Sequence, residues 1–493
     1  MIGPWLYQFV PLVSAEREPS SPAQTDSAPQ RYVPTNFTDF AECMHTALYV
    51  RLIAADVAEQ EVLAAADSLE RPQATAKRAP WRQQVITWTK RLHWWGQGMA
   101  LRRARVVVRS GYFPRLAEAK MWWMSGGRIR FDWRNYPWHP NSLTIDWSLR
   151  HRLAAKLPAD APPEIAAILK LVPLHLPRAY LEGFASLGEV ARRTLPNRAS
   201  AYFTCGAIWN DDIFKYHAAE ARDAGAAVLV GQHGGNYGII ERLIGEDWER
   251  DIADKFCTWG WKEDDKTVPM PSPILVGLRP TQRPAGPGEI LFASTAIAKV
   301  NFAGGKQQVK STPDEYLAWQ LRFFDTLPSS TRASVRFRTL RDWVGGSWEP
   351  LKSRFPEVLV ENAYQCGVTF RARLAKCSLF ICDHLSTTYV EALASDTPTI
   401  LFWDPGIIAY RPAAQPHFDA LIECGILHVS PESAAHETAK AYADPAAWWS
   451  ASNRRRAVRQ FRDHYALTAP NAERTWVNFL LDEARSHASP LQA

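Results

Sequence analysis

Apolar and polar positions follow two rhythms along this chain. From Asp39 to Leu69, and again from Trp81 to Leu101, apolar residues return every three or four positions, the spacing of helices with one buried face. Short β-like runs then begin at Ala104–Val108, Arg128–Phe131, Ala201–Thr204 and Ala226–Val230. Helical stretches separate them at Pro114–Trp123, Pro163–Leu171 and Asp211–Ala224. The rhythm repeats more regularly further on. Strand-like runs fall at Ile290–Ala293, Ser334–Arg338, Val358–Val360, Leu379–Cys382, Thr399–Phe402 and Ile426–Val429, with helical segments between. Runs of this kind, apolar on both faces and alternating with helices, predict parallel α/β sheets.

Two stretches interrupt the pattern. Residues 16–34 are rich in Pro, Ser and Ala and read as a leader or loop, and Pro269–Gly288 is rich in proline and reads as a linker. The expected organisation is an N-terminal segment at 1–38, a first Rossmann-like domain with helical insertions at 39–268, and the linker at 269–288. A second Rossmann-like domain at 289–444 and closing helices at 445–493, packing back on the first, complete it. The fold class is therefore α/β, two Rossmann-like domains facing a cleft (the GT-B outline), with helical additions at both ends.

Composition narrows the class. The chain has 493 residues, too many for one typical core; 46% are hydrophobic and 22% charged, the balance of a globular protein. A net charge of +6 suits an anionic substrate or a membrane surface without requiring either. Seven cysteines without CxxC pairing read as reduced thiols, mostly buried. The opening MIGPWLYQFVPLV is too short for a span and lacks a basic start, so a cytoplasmic location is expected, with a peripheral inner-membrane contact as an option. Twenty-one tryptophans, several in pairs, suit buried helix contacts and carbohydrate stacking.

Candidate chemistry gathers at strand tips. In Asp383–Pro398, DHLSTTYVEALASDTP, a buried run delivers Asp383 and His384, followed by Ser386, Thr387 and Thr388 where a helix begins. Hydroxyls, free N–H groups and the positive helix end converge there on one point, an anion site. Glu391, one turn on, is within reach of a sugar hydroxyl; the competing reading is an ordinary N-cap. In VLVGQHGGNYG, His233 stands at a strand tip as a general base or a partner for an anion, and Gly234 and Gly235 let backbone approach a ligand. The spacing is not GxGxxG, so NAD binding is not indicated.

Asp211 and Asp212 sit at another tip, as an N-cap or as second-choice bases. Ser294, Thr295 and Arg338 end adjacent strands, where hydroxyls and a guanidinium suit a diphosphate or a carboxylate. Asp404 contacts a ligand or begins a turn. The acidic run Glu246–Asp251 reads as a solvated helix face. Zinc spacings, Walker loops and nucleophile elbows are missing from the sequence, so no cofactor or metal and no nucleic-acid partner is expected.

Taken together, GQHGGNYG, ERDIADKFCTWGW, DHLSTTYVEALASDTPTILFWDP and the Trp-rich tail resemble a family of bacterial transferases encoded with surface-carbohydrate genes. That family looks like GT-B glycosyltransferases and is more distantly similar to capsule keto-sugar-acid transferases and CDP-glycerol polymerases. The resemblance covers residues 200–480 well and 1–200 loosely. It implies that Ser386, Thr387 and Thr388 hold a donor phosphate, that Glu391 or His384 meets its ribose or base, and that His233 stands on the acceptor side. In one departure, the Gly3-Pro4-Trp5-Leu6 that opens this chain lies well inside other members. This implies an absent first part of the acceptor domain or a late start codon. The expected function is a metal-independent glycosyltransferase using a nucleotide-sugar donor and a glycan or lipid-linked glycan acceptor of the bacterial surface. A polyol-phosphate transferase, a sugar-nucleotide epimerase and a non-catalytic nucleotide- or carbohydrate-binding module are the alternatives.

Overall fold

The computed structural model describes residues 104–134, 136, 138, 143–156, 169–170, 172–195, 199–241, 243–278, 286–295, 313–339 and 348–487. The helical readings at 39–69 and 81–101, the leader at 16–34 and most of 163–171 lie outside the described residues.

The apolar runs form two six-stranded parallel sheets. The first comprises β1 (Val106–Arg109), β2 (Ile129–Asp132), β3 (Ala201–Thr204), β4 (Ala227–Gly231), β5 (Lys255–Thr258) and β6 (Thr267–Pro269), in the order β2-β1-β3-β4-β5-β6. The second comprises β7 (Ile290–Ala293), β8 (Val335–Thr339), β9 (Leu359–Asn362), β10 (Leu379–Cys382), β11 (Thr399–Phe402) and β12 (Leu427–His428), in the order β12-β11-β10-β7-β8-β9. Residues such as Val107, Tyr202, Phe292 and Ile381 are wholly buried because helices cover both faces, which is why their strands carry no polar alternation. Registers such as Val107↔Tyr202 and Phe292↔Phe337 line up large side chains across each sheet. Strand order reverses between β1 and β3 in the first sheet and between β7 and β10 in the second. Crevices open at such reversals, outside the carboxyl ends of the strands.

One strand departs from expectation. Thr258–Trp261 reads as a strand end leading into the linker, yet the chain turns after β5 and adds β6 at the sheet edge. Three residues behind the polar stretch Lys262–Lys266 carry too little periodicity to show, and Pro269 is tolerated because it lies on an edge.

The two sheets are held together at several points. Ile240 and Tyr410 form an antiparallel bridge, flanked by Glu241 N–H donating to Ala409 O (2.9 Å) and Arg411 N–H donating to Ile239 O (2.8 Å). The tail then crosses back. Helix α1 (Arg115–Met124) flanks the first sheet, and α6 (Pro445–Ser450), α7 (Ser452–Tyr465) and α8 (Ala472–Ser486) lie near the C-terminus. Phe461 of α7 packs on Tyr389 and Phe418 of the second half. Leu467 then bonds Trp259 and Ser272 of the first half. On α8, Trp476 is buried against Phe113 and Phe203, with its indole N–H on the Pro271 carbonyl at 2.8 Å. Gly260, at φ +125°, lets the tail pass, since a Cβ there would lie 2.8 Å from the Asp463 carbonyl oxygen.

Candidate active site

At the tip of β4, Gln232 is buried and staples the turn. Its Oε1 accepts from Trp259 N–H (2.9 Å) and the Trp261 indole (3.0 Å), while Nε2 donates to the Gly234 carbonyl (2.7 Å). His233 follows with its side chain nearly enclosed. The Tyr237 hydroxyl lies 2.8 Å from its Nδ1, and Glu249 Oε1 lies 3.2 Å from the same nitrogen. Trp209 and Tyr112 meet the ring edge-on. Burial raises the Tyr237 phenol well above its ordinary pKa, and the nearby Glu249 adds to this, so Tyr237 stays protonated.

Glu249 corrects the expectation of a solvated acidic helix. On α3 (Ile244–Ile252; α2 is Asp212–Asp223), Glu246 and Glu249 are fully buried. Glu246 accepts from Gly238 N–H (2.9 Å) and pairs with Arg411 across the two halves (2.9 Å); Glu249 accepts from the Trp209 indole beside His233. Their three-residue spacing was the available signal, because it places both on one inward face, whereas Asp247 and Asp251 are exposed.

In the second sheet, the carboxyl end of β10 leads into a buried polar network. Asp383 accepts from the Tyr316 hydroxyl and from Gln320 Nε2, both at 2.6 Å and both on α4 (Pro313–Thr326). Gln320 also donates to Ser294 Oγ (2.8 Å), so Ser294 is engaged within the protein, and Thr295 is buried beside it. His384 is buried 2.9 Å from Asp383 Oδ1. Burial alone would lower its pKa, but the Cys382 sulfur and the Asp383 carboxylate push it up to about 10, so it is a cation at neutral pH.

Helix α5 (Thr387–Ala394) starts immediately after. Ser386 is its N-cap, accepting from Thr388 N–H (3.2 Å) and lying 2.6 Å from the Thr388 hydroxyl, and all three hydroxyl residues remain partly exposed. Glu391 is buried and pairs with Arg371 (2.6 Å); burial raises its pKa, with Arg371 opposing. Arg338 is nearly buried too, donating to Glu361, to Val368 O (2.7 Å) and towards Cys366 S, so its fork already has protein partners. Asp404 begins a turn by accepting from Gly406 N–H (2.7 Å). Its position at the β11 tip is as expected, and its side chain serves the backbone.

The two glycine- and hydroxyl-rich segments come together although about 150 residues separate them in sequence. The Tyr389 hydroxyl donates to the Gly235 carbonyl at 3.2 Å. A Cβ on Gly235 would run into the Ser386 carbonyl and sit 2.8 Å from Val390 Cγ2, so the close approach Gly235 permits is to α5 itself. Gly234 has ordinary room, with Thr387 Oγ1 3.9 Å from where its Cβ would be. His233 and the start of α5 therefore stand on opposite sides of one junction.

Beside them, at the reversal between β1 and β3, lies a cavity of about 360 Å³ lined by Arg109, Tyr112, Tyr136, Trp138, Asn210 and Asp211 among others. Asp211 caps α2 by accepting from Phe214 N–H (3.0 Å) and pairs with Arg109 (2.5 Å). Asp212 is held by Lys215 (2.5 Å) and the Tyr180 hydroxyl (2.7 Å). Arg109, Tyr112, Tyr136 and Trp138 were not singled out in sequence. Only the Arg-Ser-Gly-Tyr break straight after an apolar run hinted at a functional tip. Among the described residues no group of three or more His, Cys, Asp or Glu could hold a metal ion, and no helix is long and apolar enough to cross a membrane.

The class of the protein, a transferase, follows from the family comparison. The model of the LIC12162 family of transferases matches residues 7–480, and the chain belongs to that family. No curated protein matches. Among solved structures the chain is similar to the pneumococcal O-GlcNAc transferase GtfA in complex with UDP and GlcNAc (12% identity, TM-score 0.36), covering 61% of this chain and 59% of that one. It thus spans less than two thirds of GtfA. It is also similar to the spinosyn forosaminyltransferase SpnP (12%, TM-score 0.40; 78% of this chain, 100% of that one). Acinetobacter baumannii MurG is a third (13%, TM-score 0.36; 76% and 99%). All three overlap the chain only loosely.

Proposed function

We propose that the protein is a glycosyltransferase that moves a sugar from a nucleotide-activated donor to a hydroxyl of a bacterial surface glycan, of the lipopolysaccharide or capsule kind. The observation that carries this reading is the junction between His233–Gly235 at the tip of β4 and Ser386–Thr388 at the start of α5. On one side of it, partly exposed hydroxyls and the helix N-terminus provide donors and positive potential for the donor phosphates and for the charge that develops as they leave. On the other, His233 accepts the proton of the attacking acceptor hydroxyl, with Tyr237 and Glu249 fixing its ring. Asp211 and Asp212 are held in ion pairs, which favours His233 over them as the base.

A thermal-shift panel of CMP, CDP, UDP and GDP tests the donor side, because a ligand that binds only the native state raises the melting temperature. At least one of the four is expected to do so, and less strongly in a Ser386→Ala, Thr387→Ala double variant. Four unchanged melting curves would sink the reading.

A further inference from the structure

We propose that the cavity at the tips of β1 and β3 is a subsite for one uncharged sugar ring of the acceptor, and that the Arg109–Asp211 pair sets this preference. The proposal rests on the transferase reading above and names the chemistry of its acceptor.

Size and walls come first. A volume of about 360 Å³ lies within the range of small-molecule pockets, about 300–1,000 Å³. Trp138 supplies a half-buried aromatic wall, suited to the C–H face of a pyranose, and the exposed Asn210 supplies both a donor and an acceptor.

Charge then selects the ligand. An arginine in a pocket ordinarily signals a carboxylate or phosphate, because its fork binds oxyanions bidentately. Arg109 has no fork to offer. Its Nε and Nη2 both meet Asp211 Oδ2 (2.6 and 2.5 Å), and Nη1 donates to the carbonyls of Arg134 (2.8 Å) and Asp132 (3.2 Å). The guanidinium also lies over the Tyr136 ring, 4.2 Å from its centroid, which fixes its plane. Asp212, on the same wall, is neutralised by Lys215. An anion entering would face the Asp211 carboxylate with no unpaired cation among the described lining residues to receive it, whereas neutral hydroxyls find acceptors.

Backbone conformation supports a built site. Of the three non-glycine residues with positive φ among those described, Ser110 (+50°) and Tyr112 (+62°) form this rim. Such conformations cost free energy and gather at functional sites. Tyr112 also brings the rim to His233, their ring centroids 6.5 Å apart, so a sugar seated here lies beside the proposed base.

Saturation-transfer NMR on the full chain, with methyl α-glucoside, methyl α-galactoside and methyl α-mannoside as neutral probes and glucuronate and inorganic phosphate as anionic ones, tests the subsite. At least one neutral glycoside should bind and neither anion should compete. Asp211→Asn then gives a reversal. Asparagine keeps the helix cap but loses the ion pair and releases the guanidinium, so the variant is first checked to be folded by its melting curve. Glucuronate should bind this variant at least ten-fold more tightly than it binds the wild type. Trp138→Ala should lose the neutral glycosides while keeping the nucleotide-induced thermal shift. The proposal is overturned if wild type binds glucuronate as well as the neutral probes, if no neutral probe binds, or if Asp211→Asn leaves the preference unaltered. A missing nucleotide shift in wild type overturns the transferase reading separately, and the glycoside signals still decide the cavity.

Discussion

The tips of the two sheets are built on the same rule and used in opposite ways. Each sheet reverses its strand order once, and polar residues crowd the carboxyl ends at both reversals. In the second sheet those residues face each other: Ser294, Tyr316, Gln320 and Asp383 close a buried network, while the hydroxyls at the start of α5 stay partly exposed. In the first sheet they surround space. Arg109 and Asp211 are paired on a cavity wall, the rim is strained, and His233 stands next to it. A closed network makes a rigid platform for a ligand, while paired groups around a cavity can discriminate between ligands. Substitutions in the first tip should therefore act on turnover and selectivity, and those in the second on stability and nucleotide affinity.

The strongest way to break this contrast is His233→Ala. Turnover should fall about 10²–10⁴-fold, the range for a positioned general base, with nucleotide affinity and melting temperature nearly unchanged. A loss of melting temperature with normal activity per folded molecule would place His233 among the structural residues instead. The double variant Ser386→Ala, Thr387→Ala comes next. Nucleotide binding should weaken by roughly 1–3 kcal/mol, the scale of charge-assisted hydrogen bonds, as read by calorimetry. Wild-type affinity in that variant would reduce the hydroxyls to a helix cap.

Gly235→Ala sharpens the comparison from the junction side. Its new methyl meets the Ser386 carbonyl and Val390, so a loss of about 1–3 kcal/mol in denaturant stability is expected, the cost of overpacking. An unchanged midpoint would show that the junction is loose. The smallest effect near neutrality concerns His384. Its folded pKa, about 10, lies above the ordinary histidine value near 6.5, so its stabilisation is present in full below about pH 6.5 and is lost as pH rises through 10. Melting temperatures of His384→Gln and wild type should therefore converge between pH 8 and 11. A constant gap would mean that the imidazole is not charged in the fold.

Much of the architecture was legible because buried parallel strands leave uninterrupted apolar runs, as Val106-Val107-Val108 and Leu379–Cys382 do. β6 escaped because three residues carry no period. Strand tips were legible as places, but the direction of each side chain was not: Ser294 and Arg338 stand where expected, and their partners, Gln320 and Glu361, come from distant segments. Glu249 is hidden in a run whose charge suggests a solvated face, and only its three-residue spacing from Glu246 marks the buried side. The cavity was the hardest to see, since residues 109, 138 and 211 meet only through the sheet order.

The returning tail has a mechanical consequence. The chain passes between the two halves near Ser272 and again near Leu467, and these passages are hydrogen-bonded to each other at 2.8 Å. Two crossings fastened side by side tie the halves together at one place. Opening the junction would break the Ile240–Tyr410 bridge and the Arg411–Glu246 pair, while the Ser272–Leu467 bond would keep the two passages together.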